Sequence, residues 1–264
     1  MSIDLRLGNC ISLMKTLSDD SVDLVITSPP YYNAREYSHW NSYEDYLSFL
    51  REVSVELFRV VKKGHFVAVN LSVVIEPRLD RQNESRRIPI PFHYVNLMED
   101  LGFKFLEDII WLKPEGSAKN RNAGFYRNRQ PIQYKPNIVN EYILVFQKPC
   151  EGLIDNIIRG YDSEVRNRSL INGDYERSNV WQINPETHSF HSAPFPLQIP
   201  MNLIKYYSYV GDTVLDCFMG SGTTGVACKE LDRSFIGIEL DETYYNLAKE
   251  RIECTLHQIS LFNI

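Results

Sequence analysis

Apolar and polar residues recur with two different periods along the chain, and the change of period marks the elements. Val22-Asp23-Leu24-Val25-Ile26 is a short, nearly continuous apolar run closed by Thr27–Pro30, which predicts a buried strand ending in a turn. From Tyr43 to Lys63 the period becomes helical, with Tyr43, Tyr46, Leu47, Leu50, Val53, Leu57, Phe58 and Val61 on one face. Ser42 and Asp45 have the form of a capping box, and Gly64 suits the left-handed position beyond the last turn. His65–Val74 then reads as a strand. Strand, helix, strand is the parallel α/β pattern. A helix over Tyr94–Leu101 ends at Gly102, and Phe105–Leu112 and Asn140–Gln147 read as strands. Near the end the rhythm is regular again. It predicts a short helix over Met201–Tyr209, a strand over Thr213–Cys217, a helix over Thr223–Leu231, a strand over Phe235–Glu239 and a final helix over Glu242–His257.

Between these ends the pattern fades. Glu76–Pro91 carries three prolines with Arg78, Arg81, Arg86 and Arg87, the composition of a long surface loop. Lys113–Lys135 holds six Lys or Arg against one Glu, interleaved with Phe125, Tyr126 and Tyr134. Glu151–Val180 is polar and irregular; a sheet or hairpin fits it, but no period places one.

Composition narrows the class. A chain of 264 residues that is 44% hydrophobic and 12% aromatic accommodates one large α/β domain with an insertion, or two small ones. Its longest apolar runs are far short of the ~20 residues a bilayer span needs. Met1–Arg6 lacks the apolar core of a signal peptide. Five cysteines without a CxxC pair fit thiols in a reducing cytoplasm and argue against a disulfide framework or a zinc site, so no metal is expected. A net charge of −6 means that any nucleic-acid contact must come from a local basic surface.

Two motifs carry the candidate chemistry. In Thr27-Ser28-Pro29-Pro30-Tyr31 the prolines lack N–H groups and lock φ, so the chain leaves its strand through a stiff turn that aims Ser28 and Tyr31. In Val214–Gly225, Gly220, Gly222 and Gly225 satisfy G-x-G-x-x-G between a strand and a helix, and Glu239 follows Gly220 by nineteen residues at the end of the next strand. Glycines there remove Cβ atoms that would block a ligand, and the acid can accept two ribose hydroxyl bonds. By itself this fingerprint suits a nicotinamide enzyme as well as a methyltransferase.

The content of the motifs separates the two. Thr27–Tyr31 resembles the catalytic motif of the DNA amino-methyltransferases. Asp216-Cys217-Phe218-Met219-Gly220-Ser221-Gly222-Thr223-Thr224 resembles their S-adenosylmethionine motif, and Gly237–Asp241 with Tyr244 or Tyr245 and Arg251 their next one. Leu7-Gly8-Asn9-Cys10 sits where the family has Gly-Asp, with Asn9 in the place of its adenine-contacting aspartate. His191–Pro196 is similar to the segment lining the methionine end. With the catalytic motif ahead of the cofactor motif, the order is the permuted one of the beta group.

The resemblance implies an α/β, Rossmann-like methyltransferase fold with a mostly parallel twisted sheet, helices on both faces and an inserted target-recognition region. Residues 1–112 would form the catalytic half, 113–186 the target-recognition region with a strand near 140–147, and 187–264 the cofactor-binding half. Ser28, Pro29, Pro30 and Tyr31 become the expected catalytic residues. S-adenosyl-L-methionine would contact Asn9, Cys10, Thr27, Ser192 and Pro194, then Asp216, Phe218, Gly220, Ser221, Gly222, Thr223 and Thr224, and finally Glu239 and Leu240. DNA would be held by Arg78, Arg81, Arg86 and Arg87 and by Lys119, Arg121, Arg127, Arg129 and Lys135, with Asn120, Asn122, Asn128, Gln130 and Gln133 available to read bases. Tyr32, Tyr37 and Trp40 either cover the site or pack on the core.

The expected reaction is methylation of the N4 amino group of a flipped cytosine, because serine at the first motif position is commoner in that branch. Adenine N6 is the alternative. A cytosine-C5 reaction would need a Pro-Cys nucleophile, which Pro149-Cys150 supplies without a partner acid motif. A non-catalytic DNA-binding protein and an NAD-dependent enzyme are the rivals from other classes. The family context implies a prokaryotic cytoplasmic protein associated with the nucleoid in use. It also implies a monomer or homodimer, no membrane partner, and room for a cognate restriction endonuclease acting separately.

Overall fold

The computed structural model describes residues 1–32, 40–76, 82, 85–117, 123–132, 134–185 and 196–262. In chain order the first half contains β1 (Ile3–Leu7), α1 (Cys10–Met14), β2 (Val22–Thr27), α2 (Tyr43–Val60), β3 (Val61–Leu71), β4 (Val74–Glu76), β5 (Arg86–Ile88) and α3 (Ile90–Asp100). Then come β6 (Lys104–Leu112), α4 (Ala123–Asn128), β7 (Asn140–Gln147), α5 (Ile154–Gly160), α6 (Ser163–Arg168) and β8 (Val180–Gln182). The chain closes with α7 (Gln198–Tyr207), β9 (Thr213–Asp216), α8 (Thr223–Glu230), β10 (Ser234–Glu239) and α9 (Glu242–Phe262).

Among the described residues one eight-stranded sheet has the order β1-β10-β9-β2-β3-β7-β6-β8. Every neighbouring pair is parallel except the two that β7 makes with β3 and β6. Successive side chains on a strand point to opposite faces. On β2, Leu24 and Ile26 enter one apolar layer with α7, α8 and α9, while Val25 enters the other with α1, α2 and α3. Burial on both faces explains why this strand reads as a continuous apolar run. No described helix is long and apolar enough to cross a membrane.

Three sequence expectations change. Helix α2 stops at Val60, because Val61 turns extended and pairs with Val22 on β2. Sheet pairing outcompetes the helical period there, and Gly64 is a strand residue with φ of +79° rather than a helix cap. A Cβ at Gly64 would run into Ile157 of α5, so the glycine marks a close approach. The expected loop over Glu76–Pro91 contains half of a hairpin, with Val74 opposite Ile88 and Glu76 opposite Arg86. Within Glu151–Val180 only Val180 joins the sheet, as the first residue of β8, and the rest holds the two short helices α5 and α6. Neither helix has a buried residue, which is why no period was readable.

The sheet separates the molecule into two working edges. Thr27, Leu71, Leu112, Asp216 and Glu239 end their strands at one edge, where antiparallel β7 begins at Asn140 opposite Leu112. At the opposite edge, His65 Nε2 lies 3.4 Å from Asp23 and 3.2 Å from the hydroxyl of Tyr161. Tyr161 in turn donates to Asp212 at 3.0 Å and stacks on Tyr209 at 4.1 Å. Burial, and then the nearby Asp23, push the Asp212 carboxyl up to about 6. Ser169 Oγ accepts from the Val210 amide at 2.9 Å, and Arg168 pairs with Asp232 at 3.3 Å. The stretch 151–170 is therefore tied to the edge remote from Thr27.

Helices α8 and α9 approach each other through glycine. A Cβ on Gly222 would stand 2.8 Å from Cβ of Ala248, and one on Gly225 would stand 2.7 Å from the Phe235 ring and also meet Ile252. Gly225→Ala should gain up to ~1 kcal/mol of helix propensity yet lose about 1–3 kcal/mol to overpacking. We expect a net loss of stability, read as a lower urea midpoint.

Candidate active site

Strands β2 and β9 lie side by side, with Leu24 opposite Val214 and Val25 opposite Leu215. This register brings the two sequence motifs together although they are far apart in the chain. Thr27 Oγ1 donates to Asp216 Oδ1 at 2.8 Å, across 189 residues. The same carboxylate accepts the Phe218 amide at 3.1 Å and Thr224 Oγ1 at 2.8 Å. Three donors satisfy a charge that burial would otherwise penalise heavily. Burial still raises the Asp216 carboxyl to about 6, against the hydrogen bonds from Thr224, Thr27 and Phe218.

The glycine turn is held from its far side too. Gly220 and Gly222 take φ of +52° and +80°. Gly220 N–H donates to Glu239 Oε2 at 2.8 Å, and the amides of Leu240 and Asp241 donate to Oε1 at 2.9 Å each. Arg251 on α9 clamps Ser221 through its carbonyl at 2.6 Å and its hydroxyl at 2.7 Å. Ser221, Thr223 and Thr224 are buried and bonded within the protein, so they shape the turn. Gly222 and Gly225 face α9 and Phe235, so their lack of Cβ serves packing as well as ligand approach. Asn9, the expected adenine contact, accepts from the Ser12 amide at 3.1 Å and caps α1. Cys10 is buried beneath it, and burial pushes its thiol up to about 11.

These residues fit an adenosine group. Three amides orient the Glu239 carboxylate, and a carboxylate offers about four lone-pair sites, which leaves acceptor capacity for a ribose. Beside it, Leu240 is 71% and Leu7 44% exposed, apolar surface suited to a flat ring.

On the proline turn, Ser28 Oγ donates to the carbonyl of Asn70 at 3.3 Å. Tyr31 donates its hydroxyl to Glu141 Oε2 at 2.6 Å, and Asn70 Nδ2 reaches both that carboxylate oxygen at 2.6 Å and the Tyr31 oxygen at 3.0 Å. Lys113 pairs with the other carboxylate oxygen. Burial, and next Glu141, hold the Tyr31 phenol well above its usual range, so it stays a neutral donor. Tyr32 packs on Tyr43 and Tyr46, and Trp40 on Tyr46 and Phe49; both belong to the apolar layer of α2.

The two basic segments converge at this edge. Arg87 donates to the carbonyl of Pro136 at 2.6 Å, and Arg86 pairs with Glu76. Arg127, Arg129 and Lys135 are exposed in the connection between β6 and β7, which leaves the same edge. Arg78, Arg81, Lys119, Arg121, Ser192 and Pro194, with Tyr37, Asn120, Asn122 and Gln133, lie outside the described residues. Cys150 sits beside Gly64 at the opposite edge, away from the turn. Among the described residues no His, Cys, Asp and Glu cluster could hold a metal.

Sequence reasoning missed Asn70 and Glu141 and placed Lys113 in the basic segment. A signal existed: Asn70 interrupts the apolar run Val67-Ala68-Val69-Asn70-Leu71, and Glu141 opens an otherwise apolar strand.

Comparison with known proteins bears on the family and the fold. The family model described as DNA methylase, of the N6 and N4 type, matches residues 22–250. The Type II methyltransferase M.HpaI of Haemophilus parainfluenzae is 31% identical over 93% of this chain and 73% of its own length. The Type II beta methyltransferase M.BslI of Bacillus sp. (strain NEB-606) is 29% identical over 92% of this chain, which spans only 27% of that protein. Among solved structures, a DNA modification methylase of Thermus thermophilus, complexed with S-adenosyl-L-methionine and assigned to that class by its description, superimposes with a TM-score of 0.76 at 28% identity, over 96% of this chain and 93% of its own.

The buried Asp216 carries a pH signature. Its folded value of about 6 exceeds the ordinary 3.8, so between those values the folded protein binds a proton that the unfolded chain has released. The stability contributed by this group is therefore full below about pH 4 and falls as pH rises toward 6. Denaturation series across that window should show Asp216→Asn with a flatter stability curve than the wild type.

Proposed function

This chain belongs to the DNA methylase family of N6 and N4 amino-methyltransferases, and on that premise we propose that it methylates the N4 amino group of cytosine in DNA. Its cofactor is S-adenosyl-L-methionine. The observation that carries the proposal is the union of Ser28–Tyr31 with the glycine turn through the Thr27–Asp216 bond. It sets a rigid polar turn beside the residues that fit an adenosine group.

S-adenosylmethionine, when bound, would supply a sulfonium methyl as electrophile and leave as a neutral thioether as its sulfur–methyl bond breaks. Glu239 would hold the ribose, with Leu7, Leu240 and Phe218 as apolar walls, while Asp216 acts indirectly by fixing Thr27, Thr224 and the Phe218 amide. The amino nitrogen of a base is a poor nucleophile because its lone pair is delocalised into the ring. Ser28 already donates its proton to Asn70, so its lone pairs are free to accept one amino N–H. The Pro29 carbonyl accepts the second. Accepting both favours a pyramidal nitrogen whose lone pair can attack in line. A strong base is not required, since the nitrogen becomes acidic once methylated and its proton can pass to water.

A base inside a duplex is out of reach, so the target is flipped into the site. The Tyr31 ring stacks on it, worth ~1–3 kcal/mol. Arg86, Arg87, Arg127, Arg129 and Lys135 form the DNA-facing surface of the same edge. Lys113 is committed to Glu141 and stands apart from them. Because 151–170 docks at the opposite edge, target recognition on this reading rests on the β4–β5 hairpin and the 113–139 connection. A separately acting restriction endonuclease is the partner that the Type II relatives suggest.

Serine at the head of the motif favours cytosine; adenine N6 is the alternative. Nucleoside digestion and mass spectrometry of DNA exposed to the protein should give N4-methylcytosine, and N6-methyladenine as sole product would reverse the assignment. Ser28→Ala and Tyr31→Ala should each lose turnover by roughly 100-fold or more while calorimetry shows cofactor affinity retained.

A further inference from the structure

Glu141 belongs to neither sequence motif, yet its carboxylate is the hub of the polar groups behind the catalytic turn. We propose that Glu141 is a positioning residue for methyl transfer, which fixes the ring of Tyr31 through the tyrosine hydroxyl and the Asn70 amide. The proposal rests on the reading of Tyr31 as the stacking surface for the target base.

The geometry assigns each donor. Glu141 Oε2 receives the Tyr31 hydroxyl at 2.6 Å and Asn70 Nδ2 at 2.6 Å, while Oε1 faces the Lys113 ammonium. Lys113 is itself steadied over the Trp111 ring, 4.3 Å from its centroid. Four strands or strand ends thus contribute one group each: β2 through Tyr31, β3 through Asn70, β6 through Lys113 and β7 through Glu141. A proline turn orients the Tyr31 backbone but leaves the side chain free to swing about Cα–Cβ. A hydrogen bond at the para position anchors the far end of the ring and removes that swing.

Asn70 shows that stability alone does not account for the arrangement. Turned over, its carbonyl would face two oxygens, so the network dictates its orientation. In the observed orientation, Asn70 is 3% exposed and its Oδ1 is buried without a hydrogen-bond partner. An unpaired buried acceptor destabilises the fold, and buried ion pairs are weak stabilisers in any case. A group left unsatisfied in order to hold its neighbour is a mark of a site.

The test is a double-mutant cycle on single-turnover methyl transfer, with cofactor affinity measured by calorimetry in parallel. Glu141→Gln and Tyr31→Phe should each slow transfer by roughly 10–100-fold, with cofactor affinity unchanged. The double variant should be no slower than the slower single one. Losses that multiply, or a parallel loss of cofactor binding, would overturn the proposal. A second readout needs no activity. The Tyr31 hydroxyl proton should give a slowly exchanging downfield NMR resonance, absent in Tyr31→Phe and lost or shifted in Glu141→Gln. A resonance unmoved by Glu141→Gln would also overturn it. If Glu141→Gln fails to fold, Glu141→Gln with Lys113→Gln removes the ammonium opposite the amide and serves in its place. A wild-type protein that methylates no DNA would sink the functional reading, and the resonance would then decide the role of Glu141 alone.

Discussion

The hydrogen bond from Thr27 to Asp216 is the constraint on which the site depends. It spans 189 residues, closes the seam between β2 and β9, and stands where one strand becomes the proline turn and the other the glycine turn. Asp216 carries its charge within the fold because Thr27, Thr224 and the Phe218 amide surround it. Those same bonds set the direction in which both turns leave the sheet. A donor group and an acceptor group can be aligned for displacement only if the backbone beneath them is this rigid.

The sheet then divides labour between its edges. In open α/β sheets, ligands bind beyond the carboxyl ends of the strands, where successive connections diverge. Here that edge carries the proline turn, the glycine turn, Glu239, the β4–β5 hairpin and the exposed arginines. The other edge is structural. His65, Asp23, Asp212 and Tyr161 lock the α5–α6 stretch against the strand starts, and Gly64 lets α5 approach closely. A continuous segment between the two motifs therefore contributes to both ends of the molecule.

Glycine and polar side chains play roles here that their sequence patterns only half disclose. Gly222 and Gly225 complete a ligand-binding fingerprint, but α9 and Phe235 occupy the space a Cβ would need. Thr223, Thr224 and Ser221 lie in the cofactor motif and direct their hydroxyls inward, toward Asp216 or Arg251. Their bonds set the shape of the turn.

The sequence alone determined the elements whose burial is periodic or complete: β2, α2, α3, β6, β7 and the regular run from α7 to α9. It also determined the two turns, because proline and glycine restrict the backbone locally whatever surrounds them. Helices α5 and α6 were invisible because they bury no side chain, and the end of α2 was misplaced because pairing with Val22 is a long-range contact. Only the tertiary structure decided that Asn70, Lys113 and Glu141 meet behind Tyr31, and that Asn9 caps a helix. Hydrogen bonds between strands depend on register and sheet order, and a one-dimensional pattern records neither.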